Sequence, residues 1–268
     1  MTHFPPLLLL ALLFAAVPAR AAGLPDTGQS TCYNDTTADV VPATSAASIA
    51  GDAGTHPGQD CRYGRDAAAA ASALPKTGAG ARGFDYTKVA HNGTLLAAGA
   101  TPGTAATDWA CTQDNVTGLT WEVKTAAAND PRYSGHTYAW YNSDANTNGG
   151  NAGTVGSNTC NATLTGGLCN TEAFVTAVNI AALCGHGDWR MPTPRELFSL
   201  FLADGTSPAI DPTYFPHTAV SWNYWTSSTY VANADSAWVV SFQNGTTPTG
   251  SKSGSTRHHV RLVRGGAF

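Results

Sequence analysis

The sequence predicts an α+β fold in which antiparallel strands surround two main helices. Three observations predict it. Residues 118–124 alternate apolar and polar side chains, as a half-buried strand does. Residues 170–185 repeat apolar residues at helical spacing, and a capping box follows at residues 193–196. After Ile210 the pattern changes to short strands separated by turns, which completes the α+β order.

Residues 1–21 have the features of a signal peptide. The apolar run from Leu7 to Val17 is too short to cross a bilayer as a helix, which needs about 20 apolar residues. Ala19 and Ala21 supply the small residues that signal peptidase requires. No Lys or Arg precedes the run, so a retained hydrophobic anchor remains the alternative. We expect an exported chain, periplasmic, cell-surface or secreted, with no transmembrane segment after cleavage.

Two regions follow the signal peptide. Residues 22–108 are rich in small and polar residues, which predicts a loop-rich N-terminal extension. Within it we expect a short helix over residues 66–74 and a tight turn at residues 91–94 between short strands. Large apolar residues become frequent from Trp109 onwards, so residues 109–268 are expected to form the α+β domain.

The chain contains six cysteines, and an even number in an exported protein predicts disulfides rather than a zinc site. Their spacing matches no zinc motif. Of the fifteen possible pairings, we expect Cys32–Cys61, Cys169–Cys184 across a helix and, by elimination, Cys111–Cys160.

The two main helices have clear boundary residues. In the first, Phe174 and Val178 begin the apolar stripe and Gly185 provides a left-handed end. In the second, Thr193 and Glu196 form the capping box. The buried stripe of the second helix is expected to consist of Leu197, Leu200 and Phe201, with Gly205 at its end. Three later strands are expected at residues 222–230, 237–243 and 256–264, with a turn at Asn244–Gly245.

The candidate ligand-binding residues lie near the C-terminus and are Lys252, Arg257, His259 and Arg261. If residues 256–264 form one strand, Arg257, His259 and Arg261 share a face, where cationic groups can bind sulfate or carboxylate. The chain has a formal net charge of −4, so only such a local patch would attract a polyanion, and nucleic acid is not an expected partner.

A structural role is the favoured alternative for the arginines of this segment. Arg261 and Arg264 would then pair with carboxylates such as Asp188 or Glu196. The seven tryptophans are expected to be mostly core residues, with either Trp222 or Trp225 exposed.

A candidate metal site lies at Asp144, Asn146 and Asn148, which alternate like the first ligands of a calcium loop. Val155 stands where such a loop needs a bidentate Glu. A surface loop of Asx turns is therefore the default interpretation, no cofactor is expected, and calcium is the alternative.

A series of motifs runs in a fixed order through the second region. It consists of residues 114–124, 138–142, 148–153, 183–185, 187–197, 224–228, 237–238 and 260–266. In this order the series resembles the C-terminal domain of the Legionella collagen-like protein, a bacterial family. Met191 departs from the family's usual Leu, and no collagen-like repeat precedes the domain.

The resemblance implies a fold akin to the C-type-lectin-like and formylglycine-generating-enzyme domains. It also implies a secreted or cell-surface binding module, adhesin-like, for glycans or sulfated polyanions. We expect no enzyme: the formylglycine-type oxidation needs a cysteine pair late in the domain, and no cysteine follows Cys184. The alternative function is a structural or assembly component of the bacterial envelope that acts through protein partners.

Overall fold

The computed structural model describes residues 25–29, 32–33, 38–39 and 59–266. The predicted signal peptide lies outside the described residues. Over the ranges described, no helix has both the length and the apolar character needed to cross a membrane.

The described part of the chain forms short strands and four α-helices, the α+β arrangement predicted from the sequence. The strands are β1 (Cys32–Tyr33), β2 (Ala38–Asp39), β3 (Tyr86–Ala90), β4 (Leu95–Leu96), β5 (Trp109–Asp114), β6 (Thr120–Glu122), β7 (Tyr224–Tyr230), β8 (Asn233–Val240), β9 (Thr249–Ser251) and β10 (Val263–Arg264). The helices are α1 (Asp60–Tyr63), α2 (Arg65–Ala70), α3 (Thr171–Ile180) and α4 (Pro194–Phe198).

Three antiparallel sheets organise these strands. The central sheet has the order β10-β6-β5-β3-β4, a second sheet has the order β7-β8-β9, and β1 pairs with β2. The predicted turn at residues 91–94 is confirmed, because it joins β3 to β4 with Gly93 at φ +90°. Since β3 pairs with β5, the central sheet crosses the boundary expected at residue 108.

Two buried clusters form the core. One contains Phe174 and Val178 of α3 packed with residues of the loops and of β7–β8, including Tyr138, Trp140 and Trp225. The other packs side chains of the central sheet against α4 and its following loop, and includes Tyr86, Trp121, Leu197, Leu200 and Phe215. Most tryptophans are core residues, as expected. Of Trp222 and Trp225, Trp222 is the exposed one, at 54% exposure.

A side-chain cap begins each of the two main helices. The Asn170 side chain accepts a hydrogen bond from the Ala173 amide at 2.8 Å and caps α3. The predicted capping box of Thr193 and Glu196 is present at the start of α4.

Both helices end earlier than the sequence predicts. After α3, Ala182 adopts φ +46° and turns the chain before Gly185 is reached. After α4, Ser199 caps the helix, so Phe201 and Gly205 lie beyond it. The positions of Gly185 and Gly205 therefore overestimated the lengths of these helices.

The predicted Cys32–Cys61 disulfide is confirmed, and the other two predicted pairings are wrong. The structure has Cys111–Cys184 and Cys160–Cys169, with Cα–Cα distances of 6.5 Å and 5.8 Å. The reason is helix length: α3 has ten residues and is about 15 Å long, whereas bridged Cα atoms lie within about 7 Å. The helix separates the cysteines on either side of it, and each pairs with a cysteine from another segment.

The predicted strand at residues 256–264 is also corrected. Only Val263–Arg264 form a ladder, with β6, and His258 and His259 make single bridges to Tyr138 and Tyr224. Residues 258–263 run between the two larger sheets and are buried.

Candidate functional site

Lys252 is a buried structural cation rather than part of a surface patch. It is 2% exposed, and its ammonium donates to the Asn148 carbonyl at 2.9 Å, the Asn151 carbonyl at 3.0 Å and Thr229 Oγ1 at 2.8 Å. The same ammonium lies 4.0 Å from the ring centroid of Trp140. Its hydrogen-bonding capacity is used inside the protein.

The predicted cationic face of Arg257, His259 and Arg261 does not exist as a solvent-facing row. His259 is buried, and its Nδ1 contacts the His136 carbonyl oxygen at 2.8 Å. Arg261 is fully buried and donates to the Glu122 carbonyl oxygen at 2.9 Å. Arg257 alone of the three is partly exposed, and it donates to Ser157 Oγ at 3.1 Å.

The structural alternative for the arginines is correct in part. Arg264 pairs with Asp188 at 2.7 Å, as anticipated. Glu196 pairs instead with Arg190, through two hydrogen bonds of 2.8 Å and 2.6 Å. Burial raises the pKa of Glu196. The hydrogen bonds from Arg190 and from the Thr193 amide outweigh this effect and hold the pKa below its usual value.

The predicted metal-site residues form turns. Asp144 Oδ1 accepts from the Asn146 amide at 3.0 Å, and Asn148 Oδ1 accepts from the Gly150 amide at 2.9 Å. These are the Asx turns of the default interpretation. The Asn148 carbonyl oxygen already receives the Lys252 ammonium, so an internal cation occupies the inner side of this loop.

A cleft of about 200 Å³ beside α3 is the best candidate for a ligand site. Its surface is mainly apolar, with a few polar groups among the lining side chains. The lining residues are Trp140, Tyr141, Asn142, Thr171, Glu172, Val175, Thr176, Arg190, Met191 and Ser227.

Hydrogen bonds hold both walls of the cleft in place. On one side, Thr171 Oγ1 donates to the Tyr141 carbonyl oxygen at 2.7 Å and accepts from its amide at 2.9 Å. On the other, the two bonds from Arg190 to Glu196 fix the guanidinium at the rim. The site is thus formed before any ligand arrives, which lowers the entropic cost of binding.

The sequence did not identify this cleft, because four separated segments contribute to it. A usable signal was nevertheless present: Trp140, Tyr141 and Asn142 lie in one family-like motif, and Arg190 with Met191 lies in another.

The chain is thus an α+β protein with antiparallel sheets, three disulfides and a preformed cleft. Residues 110–264 match the family described as the Lcl C-terminal domain. The match covers more than half of the chain, so the chain belongs to this bacterial family, and the resemblance predicted from the sequence is confirmed. No curated protein and no solved structure matches the chain.

Proposed function

We propose that this protein is an exported, non-catalytic binding module that recognises a glycan, with one sugar ring held in the cleft beside α3. Membership of the Lcl C-terminal domain family and the three disulfides support export and a surface or secreted role. The proposal includes a C-type-lectin-like fold for this domain.

The observation that carries the proposal is the mixed chemistry of the cleft. A sugar ring has an apolar C–H face and a polar edge of hydroxyl groups. Val175 and Met191 offer apolar surface, while Asn142 and Glu172 supply amide and carboxylate groups at the same site. Its volume is below the roughly 300–1,000 Å³ of drug-sized sites, which suits a single ring better than an extended chain.

The charges of the cleft favour a neutral glycan over a sulfated one. Arg190 is the cation among the lining residues, and its guanidinium is already paired with Glu196. Glu172 adds a negative charge, which repels sulfate. The non-catalytic assignment is supported by the three disulfides, which leave no free cysteine for a thiol-dependent oxidation.

The experiment is a glycan array, run with and without calcium, followed by calorimetry with the best ligand. Val175→Phe fills the cleft from a half-buried position on α3 and should weaken binding at least tenfold. Ile180→Phe is the matched control, because Ile180 lies on the same helix and is 81% exposed. Equal affinities for the two variants would overturn the placement of the site.

Two other outcomes would support different functions. Retention on heparin that weakens with salt and is lost in Arg257→Ala would favour a sulfated polyanion. The alternative of an envelope assembly component is favoured by the exposed apolar side chains Val155, Leu168 and Ile180 beside α3. Specific capture of envelope proteins without any array signal would support it.

A further inference from the structure

Three aspartates converge where the N-terminal segment meets the first two helices. Asp26 belongs to residues 25–29, Asp60 is the first residue of α1, and Asp66 lies in the first turn of α2. One carboxylate oxygen from each lies within 4.8 Å of the other two. The fold therefore concentrates negative charge contributed by separate parts of the chain.

The segment that carries Asp26 is fixed by other contacts. The Thr27 carbonyl oxygen accepts from the Ala203 amide at 2.9 Å, and Thr27 Oγ1 donates to Asp60. Gly28 adopts φ +71° and approaches Leu202 so closely that a Cβ would lie 2.2 Å from its Cδ1. The contacts with Ala203 and Leu202 place Asp26 independently of the carboxylates it faces.

Two oxygens of this cluster are buried without a hydrogen-bond partner. Asp26 is 8% exposed and Asp66 is 3% exposed, and the Oδ2 atom of each receives no hydrogen bond from the described residues. The other Asp66 oxygen accepts from the Gly83 amide at 2.9 Å. Such orphaned carboxylate oxygens need a positive partner.

The geometry and charge of the cluster select the kind of partner. Calcium binds oxygen at about 2.3–2.6 Å, so the oxygens around it lie up to about 5 Å from one another. Around magnesium, which binds oxygen at about 2.0–2.1 Å, the oxygens lie up to about 4 Å from one another. Oxygens that all lie within 4.8 Å of one another can surround a calcium ion. A divalent cation bound between the three aspartates, beside the Arg65 guanidinium, would offset the negative charge that they concentrate. The half-buried Asp60 leaves room on the solvent side for the waters that complete its coordination.

We propose that Asp26, Asp60 and Asp66 bind a calcium ion that fastens the N-terminal segment to α1 and α2. The Cys32–Cys61 disulfide anchors α1 beside it, so the ion would stabilise the region before the central sheet. This site is distinct from the loop at Asp144, and it is independent of the glycan proposal.

Calorimetry of the full chain, freed of metal and titrated with CaCl₂, tests the site directly. One calcium ion should bind per chain, and thermal unfolding should shift upward in CaCl₂ relative to EDTA, with a smaller shift in MgCl₂. A wild-type chain that shows neither heat of binding nor a shift in millimolar CaCl₂ would overturn the proposal.

Substitutions locate the ion and separate binding from folding. Asp26→Asn should weaken calcium binding at least tenfold, yet in EDTA this variant should be at least as stable as the wild type, because an amide of the same size replaces a carboxyl group whose ionisation the buried site opposes. Asp60→Asn, at a half-buried position, should also weaken binding. Asp144→Asn is the control and should bind calcium like the wild type. Binding lost in Asp144→Asn but kept in Asp26→Asn would place the ion in the other loop and contradict the assignment.

A rival arrangement is a direct pair between Asp26 and Arg65, whose Nη2 is also buried without a partner. It predicts that Arg65→Met destabilises the chain equally in calcium and EDTA, and that the wild type does not respond to calcium. The calcium site predicts the opposite, a wild-type response that survives in Arg65→Met.

Discussion

The ammonium of Lys252 lies 4.0 Å from the ring centroid of Trp140, inside a loop whose carbonyl groups it binds. Trp140 in turn lines the cleft, so one buried cation supports both the loop and a wall of the candidate site. Lys252 therefore connects the stability of the fold to the shape of the cleft.

Replacing Lys252 by Met should destabilise the protein by about 2–4 kcal/mol, because the carbonyl groups of Asn148 and Asn151 lose a buried charged donor. Urea unfolding measures this loss. Arg257→Met is the control from the same segment: this side chain is half-buried, and its loss should cost less than about 1 kcal/mol. Equal losses for the two variants would show that the Lys252 bonds contribute little.

The protein should lose stability as the pH falls from about 6.5 towards 4. Burial lowers the pKa of His258 and of His259 to about 4, with their charged neighbours contributing less. An unfolded histidine titrates near 6.5, so between these values the unfolded state binds protons that the folded state excludes. Each histidine therefore lowers the free energy of unfolding by up to about 1.4 kcal/mol for each pH unit in this range.

Urea unfolding at pH 7.5, 6 and 5 tests this dependence. The double variant His258→Gln with His259→Gln should show a flatter dependence on pH, whatever its stability at pH 7.5. His217→Gln changes an exposed histidine and should keep the wild-type slope. An unchanged slope in the double variant would assign the acid sensitivity to other groups.

The two disulfides of the family domain should differ in their contribution to stability. Cys111–Cys184 joins residues 73 positions apart and Cys160–Cys169 joins residues 9 positions apart. Loop-closure entropy predicts losses of about 4 and about 3 kcal/mol when each pair is replaced by alanines. Urea unfolding of the two double variants gives the order of the losses.

Peptide mapping of the unreduced protein checks the pairing itself. It should recover Cys111 linked to Cys184, and thiol titration of the denatured, unreduced chain should find no free cysteine. A peptide containing Cys169 linked to Cys184 would contradict the structure.

Features set by neighbouring residues could be predicted from the sequence. The capping box of Thr193 and Glu196 involves side chains three positions apart, and the turn at residues 91–94 needs a glycine at one defined position. In both cases the physical cause lies within a few residues.

Features set by distant contacts could not be predicted in this way. The sequence near Lys252 and Arg261 shows cations without acidic neighbours, which is also the pattern of an exposed patch. Only the tertiary structure shows that carbonyl groups from other segments bind these cations. Lys252 donates to the Asn148 carbonyl oxygen, and Arg261 donates to the Glu122 carbonyl oxygen. The cleft was missed for the same reason, since its walls come from segments far apart in the sequence.

The position of β10 at one edge of the central sheet has a consequence for how the protein forms. The segment at residues 258–264 lies between the two larger sheets, and it follows every other described strand in the chain. A chain that emerges from a ribosome or a membrane pore with its N-terminus first cannot complete its core until this segment is released. We therefore expect the core to close late, after most of the chain has left the ribosome or the pore.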